Sequence, residues 1–142
     1  MIEISHITIE TQLESVLELC YKILGQHLRE VDGYKYDDWK ERLEKHSHLL
    51  LHAFDDDNIV AAVLGRPESA DSLVMGFTAC DEKYRKRGIT KKLVQKFELN
   101  AKSENFKYIT LGADKDAEAF YEKCGYIAIN ELHGQKIYQK IL

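Results

Sequence analysis

The sequence predicts one mixed α/β domain with a mainly antiparallel central sheet and helices on both faces. The predicted order is β-α-α-β-β-β-α-β-α-β-β. Three observations carry this. Stretches with a 3.6-residue apolar period are interleaved with short alternating stretches, and interleaving of that kind builds a layered α/β domain. The 142 residues suffice for one ordinary core. One proline and eight glycines leave no visible linker, so residues 1–142 are read as a single domain.

Met1 to Ile9 alternates Ile2 and Ile4, then Ile7 and Ile9, a strand with a slip after His6. Thr11-Gln12-Leu13-Glu14 has the form of a capping box. The helix it opens would bury Leu13, Val16, Leu17, Cys20, Ile23, Leu24 and Leu28, and Asp32-Gly33 would end that segment. A second helix starts near Asp37 or Asp38 and carries Trp39 and Leu43. Leu49–Leu51 and Ile59–Leu64 read as strands joined by the turn Asp55-Asp56-Asp57-Asn58. That acidic run lacks the length and the closing Glu of a calcium loop. Leu73 to Cys80 is a strand with Gly76 inside it, the mark of a bulge or a close backbone approach. Ile89, Leu93, Val94, Phe97 and Ala101 give the next helix its apolar face. Tyr108–Leu111 is a short strand. Asp114 caps a helix with Ala117, Phe120, Tyr121 and Cys124 on one face, ended by Gly125. Tyr126–Asn130 and Gln135–Leu142 form a final hairpin around His133-Gly134.

Composition narrows the function classes. Hydrophobic content of 44% with 31% charged residues is that of a soluble globular chain. No apolar run approaches the ~20 residues of a membrane span, and the N-terminus does not have the form of a signal peptide. Cys20, Cys80 and Cys124 are odd in number and lack metal-type spacing, which suits free thiols in the cytoplasm. His46, His48 and His52 read as exposed strand histidines, with no acidic partner at ligand spacing, so no metal site is expected.

The segment with chemistry in it is Tyr84-Arg85-Lys86-Arg87-Gly88-Ile89-Thr90, between a strand and an amphipathic helix. Six of the ten residues from Lys83 to Lys92 are Lys or Arg, in a chain of net charge −4. A basic, Gly-containing turn at a helix N-terminus binds anions through free N–H groups and the helix dipole. The ligand class is therefore a phosphate ester, with diphosphate the first choice. A Walker A loop is excluded, because Ile89 follows Gly88 where Lys is required, and a dinucleotide fingerprint is excluded because Gly88 stands alone. A nucleic-acid module is disfavoured by the overall acidity and by the lack of interleaved aromatics beyond Tyr84.

Arg85-x-x-Gly88-x-Thr90 resembles the pyrophosphate loop of the GCN5-related N-acetyltransferase (GNAT) family, usually Arg/Gln-x-x-Gly-x-Gly/Ala. Thr90 stands where that family has a small residue. Asp114-x-x-Ala117-x-x-Phe120-Tyr121-x-x-x-Gly125-Tyr126 is similar to the family's second signature, with Asp114 in place of Asn. The order and spacing of the two segments, and the order of elements, extend the resemblance over nearly the whole chain.

The resemblance implies that the strands before Arg85 and before Asp114 run parallel and splay apart around acetyl-CoA. It assigns the diphosphate to Arg85, Lys86, Arg87, Gly88, Ile89 and Thr90, with Lys91 or Lys92 reaching the 3′-phosphate. It sets the Cys80 N–H toward the thioester oxygen with Ala79 and Asp81 beside it, and places Phe120 and Tyr121 against the cofactor. Tyr121 is then the general acid for the departing thiolate, since a phenol of pKa ~10 is protonated at neutral pH; by helical spacing alone it would be a core aromatic. The Cys80 thiol could suggest an acyl-enzyme, but no His lies near it in sequence, and a small strand residue is the better reading. No carboxylate lies on Leu73–Ala79, so the base is Glu68, Asp71 or a water relay, or else the amine arrives already neutral. Asp114 is an N-cap first and a pantetheine contact second. Arg66-Pro67 reads as an exposed turn, or as an element closing the substrate site.

The expected activity is acetyl-CoA-dependent transfer, directly, to a primary amine of a small molecule or protein, the small molecule ahead. The alternative is a non-catalytic acyl-CoA-binding or sensor domain on the same fold. Glu30, Asp32, Asp37, Asp38 and Glu41 make the region of the first two helices acidic, a mild pointer to a cationic amine. Nucleic acid and membrane are not expected as partners; a homodimer is allowed.

Overall fold

The computed structural model describes residues 1–142. Seven strands and four helices alternate as β1 (Ile2–His6), α1 (Glu10–Leu24), α2 (Tyr36–His46), β2 (Leu50–Asp55), β3 (Asn58–Pro67), β4 (Ser72–Cys80), α3 (Ile89–Ser103), β5 (Tyr108–Ala113), α4 (Glu118–Lys123), β6 (Ile127–Leu132) and β7 (Gln135–Ile141). This is the expected order of elements. The strands form one sheet in the order β1-β2-β3-β4-β5-β7-β6. Every pairing is antiparallel except β4 with β5. A parallel pair needs a crossover, and α3 supplies it.

The sheet separates two cores. On one face α3 and α4 bury Leu93, Val94, Phe97 and Tyr121 against Leu51, Val63, Leu73, Met75 and Ile109. On the other, α1 and α2 bury Leu13, Val16, Leu17, Cys20, Tyr21 and Trp39 against Leu50, Ala62, Leu64, Phe77 and Ala79. Each fully buried large apolar side chain contributes about 1.5–3 kcal/mol relative to exposure.

β4 supplies residues to both cores. Leu73 and Met75 face α3, whereas Phe77 and Ala79 face α1, although all four are odd-numbered. The cause is a bulge: Leu64 pairs with Phe77 and Gly65 with Met75, which leaves Gly76 without a partner. One extra residue shifts the two-residue alternation and turns the rest of the strand over.

Several local expectations are corrected. The box at Thr11–Glu14 does not form. α1 begins at Glu10, and Gln12 Oε1 accepts from the N–H and hydroxyl of Thr8 at 2.9 and 3.1 Å. The glutamine amide satisfies the chain one turn earlier than Thr11 could. α1 also stops at Leu24 rather than running to Leu28, because Gly25 takes φ 139° and a 3-10 turn follows over Gln26–Glu30. α2 begins at Tyr36, with Asp38 Oδ2 accepting from the N–H groups of Gly33 and Lys35 at 2.9 and 3.1 Å. Asp114 makes no side-chain cap; its Oδ1 accepts from Gln135 Nε2 at 2.9 Å. His52 is buried, not exposed, with Nδ1 3.0 Å from Ser5 O; His46 pairs with Glu104, and His48 stacks with His6.

Candidate active site

The bulge at Gly76 makes the site. β4 and β5 pair at only three registers, Ser72–Tyr108, Leu73–Ile109 and Val74–Thr110, and diverge from there. A cleft of about 490 Å³ opens between them. Val74–Thr78 form one wall, Leu111–Asp114 the other. Ala117, Tyr121 and Gln135 line it from the α4–β7 side, and Leu24, His27, Leu28 and Tyr34 from the α1–α2 side.

The register decides which backbone groups reach the cleft. Asp81 N–H donates to Val60 O at 2.7 Å. Antiparallel pairs alternate between bonded and non-bonded, so Ala79–Ala62 is a bonded pair, whereas Cys80 and Thr78 turn their N–H and C=O groups to the open edge. The Cys80 carbonyl confirms this geometry by accepting from Arg85 Nε at 3.3 Å. Of Ala79, Cys80 and Asp81, the residues expected at the thioester, only Cys80 offers an N–H to the gap, since that of Asp81 is spent on Val60 O. Ala79 is 3% exposed and packs toward α1, because the bulge turned it there.

A second chamber, of about 410 Å³, adjoins Cys80 and is lined by Tyr84, Arg85, Lys86, Gly88, Ile89, Thr90 and Phe120. Lys86 (φ 63°) and Gly88 (φ 77°) both take left-handed conformations, which curl the loop. A Cβ at Gly88 would meet nothing within 4 Å, so the concavity is open to a ligand. Backbone bonding in α3 begins with Lys92 N–H to Gly88 O, and the N–H groups of Gly88, Ile89, Thr90 and Lys91 have no backbone partner. Free N–H groups at the positive end of a helix dipole fit a diphosphate. Arg87 stands outside this chamber: its guanidinium lies 4.9 Å from the Tyr84 ring centroid and donates to Lys83 O at 3.2 Å.

The two chambers meet at β4 and α4. Cys80 lines the loop chamber and Thr78 the cleft; Phe120 lines the loop chamber and Tyr121 the cleft. Tyr121 is 6% exposed and makes edge contacts with Phe120 (5.1 Å) and Tyr126 (5.8 Å). Its carbonyl accepts from the N–H groups of Cys124 and Tyr126, which fixes the turn that carries it. Burial pushes the Tyr121 phenol above its usual range; the neighbouring Thr78 hydroxyl acts in the opposite direction and Cys124 adds slightly to the rise. The phenol is thus a proton donor at neutral pH. Burial likewise raises the Cys80 thiol, against the lowering influence of Thr90 and Arg85. A protonated thiol is a poor nucleophile, and the geometry brings no histidine to it among the chamber residues.

Other sequence candidates lie elsewhere. Glu68 and Asp71 sit at the β3–β4 turn, with Asp71 3.7 Å from Lys107; neither lines the cleft. Three of the five acidic residues near α1 and α2 are engaged locally: Asp32 with Lys35 at 2.8 Å, Glu41 with Lys45 at 2.7 Å, and Asp38 with backbone. Asp114 is the one carboxylate in the cleft. Arg66 lies 5.5 Å from the Tyr34 ring centroid and so braces a wall of the cleft. His27, Tyr34, Thr78 and Gln135 were not picked out by sequence. Tyr34 could have been suspected from its place after Gly33, but its stacking on Phe77 (5.2 Å) is a tertiary fact.

The model of the acetyltransferase (GNAT) family matches residues 11–126, which include the loop chamber and every residue of the cleft lining except Gln135. The chain belongs to the GNAT family. Solved structures agree on the GNAT fold. The PaiA N-acetyltransferase of Thermoplasma acidophilum, in complex with coenzyme A, superposes with a TM-score of 0.81 at 18% identity, covering 100% of this chain and 99% of that one. The NatC complex bound to Gag peptide and CoA gives 0.76 at 21% identity, with 99% and 97% covered. Arabidopsis thaliana Naa50 in complex with the bisubstrate analogue CoA-Ac-MVNAL gives 0.74 at 19%, with 98% and 97% covered. No curated protein sequence matches significantly. No helix of this GNAT domain is long and apolar enough to cross a membrane.

Proposed function

We propose that this GNAT domain transfers acetyl from acetyl-CoA directly to a primary amine, a small molecule ahead of a protein. The observation that carries the proposal is the junction of the two chambers: an anion-binding loop opens onto an apolar cleft along the unpaired edge of β4, with Tyr121 at the junction. The free N–H groups from Gly88 to Lys91 and the space over Gly88 fit the diphosphate. Arg85 and Lys86 add charge; Arg87, folded on Tyr84, adds only its field. The open N–H groups of Thr78 and Cys80 fit a chain laid along β4 as an added strand.

Acetyl-CoA supplies an activated thioester. The Cys80 N–H is aimed where negative charge develops on the acetyl oxygen, a contact worth about 3–4 kcal/mol in comparable sites. Tyr121 gives a proton to the departing sulfur. The raised Cys80 thiol supports direct transfer over an acyl-enzyme. Val74, Phe77, Leu111, Leu24, Leu28 and Tyr34 favour an acceptor with an apolar or aromatic body, and the local engagement of Asp32, Asp38 and Glu41 weakens the charge-based pointer to a cationic amine.

The test is turnover of acetyl-CoA with a panel of primary amines, read by thiol release, beside calorimetric binding of CoA. Tight CoA binding without thiol release for any amine would replace this reading with that of an acyl-CoA sensor. That second reading is favoured by one observation, the absence from the β4 wall of any carboxylate to act as base.

A further inference from the structure

Transfer to an amine needs an acceptor for the ammonium proton, and the cleft holds a group suited to that task. Gly25 ends α1 at φ 139°, a conformation L side chains rarely adopt. The space its side chain would fill is taken by the His27 ring: a Cβ on Gly25 would lie 2.5 Å from Cε1 and 2.7 Å from Nδ1. The glycine therefore does two things. It stops the helix, and it lets the imidazole fold back beside the last turn of α1, where it lines the acceptor end of the cleft with Leu24, Leu28 and Tyr34.

We propose that His27 is the base that takes the proton from the acceptor ammonium. The inference rests on the amine-transfer reading above. The imidazole makes no hydrogen bond within the chain, so both ring nitrogens are available. It is exposed at the cleft mouth, where a proton can pass on to water. The titratable groups around it do not compete for the role. On its own turn Arg29 is engaged by Gln26 and Glu18, and Glu30 is exposed and is not among the residues lining the cleft. Across the cleft, Asp114 is held by Gln135, and Tyr34 and Tyr121 are phenols. Imidazole is the side chain that most often serves as a general base.

The protons balance. One leaves the ammonium for a His27 ring nitrogen and passes to solvent. The second is released from nitrogen as the C–N bond forms and the C–S bond breaks, and it replaces the proton that Tyr121 gives to sulfur.

The experiment compares wild type and His27→Gln with acetyl-CoA and two acceptors: phenethylamine, an ammonium at neutral pH, and aniline, already neutral there. Glutamine keeps a polar side chain of similar reach but accepts no proton in this pH range. Rates with phenethylamine should fall about 10²-fold at pH 7, and the acidic limb of kcat/KM should move to the limb of the free amine. Rates with aniline should change less than about threefold, because no base is needed. Equal losses on both amines would assign His27 a structural role and overturn the proposal. An unchanged phenethylamine profile would overturn it as well. Wild type that binds acetyl-CoA but acetylates neither these two nor any other amine of the panel would instead remove the transfer reading on which the proposal stands.

Discussion

Replacing Tyr121 by Phe removes one oxygen and leaves the ring. The ring holds the edge contacts to Phe120 and Tyr126, so these persist. What is lost is the hydroxyl beside Thr78 at the junction of the two chambers. A positioned general acid contributes about 10²–10⁴-fold, or roughly 3–5 kcal/mol of barrier. The folded state loses at most one buried hydroxyl interaction, about 1 kcal/mol, which in a chain of this size lowers Tm by about 2–4 °C. The two magnitudes are separable, and the assay reads both: kcat and KM for acetyl-CoA, with Tm as the control. We expect kcat to fall by 10²-fold or more with KM for acetyl-CoA little changed. The pH dependence adds a signed check. Burial raises the phenol, so Tyr121 stays protonated past the usual phenol range, and wild-type kcat should not decline through its ionisation below pH ~10. A Tyr121→Phe enzyme with unchanged kcat and a slightly lowered Tm would refute the general-acid role and leave Tyr121 a core aromatic. A dead Cys80→Ala that still binds acetyl-CoA, beside an active Tyr121→Phe, would point to a covalent route.

Acetyl-CoA should raise the Tm of wild type by mass action, and Gly88→Asp should abolish the shift by setting a carboxylate where the diphosphate lies; equal shifts would sink the loop assignment. Gly76→Ala should lower Tm, since its Cβ would lie 3.1 Å from Trp39 Cη2 and 3.3 Å from Tyr34 Cε1. Overpacking of that kind costs about 1–3 kcal/mol. Through the displaced Tyr34, KM for the amine should rise more than KM for acetyl-CoA; an unaltered Tm would show the bulge to be slack. Burial lowers the pKa of both His52 and His6, helped at His6 by His48 and Lys96. The unfolded chain then binds more protons than the folded one on the acid side. Stability from these groups is fully present above pH ~6.5 and is lost as pH falls. Thermal melts from pH 7.5 to 5 should show Tm dropping, and His52→Gln should flatten that drop; parallel curves would contradict the assignment.

Much of this molecule was legible in local sequence. The free N–H groups of the basic turn at Gly88 were legible because they follow from backbone geometry at a helix start, set by neighbouring residues. Phe120 and Tyr121 were legible as neighbours on one helical turn, but that they line different chambers is a tertiary fact. Helix boundaries were less so. Whether Thr8 with Gln12 or Thr11 with Glu14 starts α1 is a contest of closely matched hydrogen bonds, decided by where β1 releases the chain. Gly76 shows the division most clearly. Sequence marked it as a place for a bulge, because a residue without a Cβ permits one. Only the pairing with β3, and the Trp39 and Tyr34 rings that occupy the space over Gly76, place the extra residue there and turn Phe77, Thr78, Ala79 and Cys80 over. That inversion sends Ala79 into the α1 core and opens the Thr78 and Cys80 N–H groups to the cleft. Likewise Leu24 and Leu28, which a helical period assigned to the core, became walls of the cleft once Gly25 broke the helix. Sequence determined the elements and the anion loop, since both depend on contacts within a few residues. The candidate acceptor cleft, with His27 and Tyr34 from the α1–α2 connection and Gln135 from β7, was decided by tertiary structure, because no local period records which segments will face one gap.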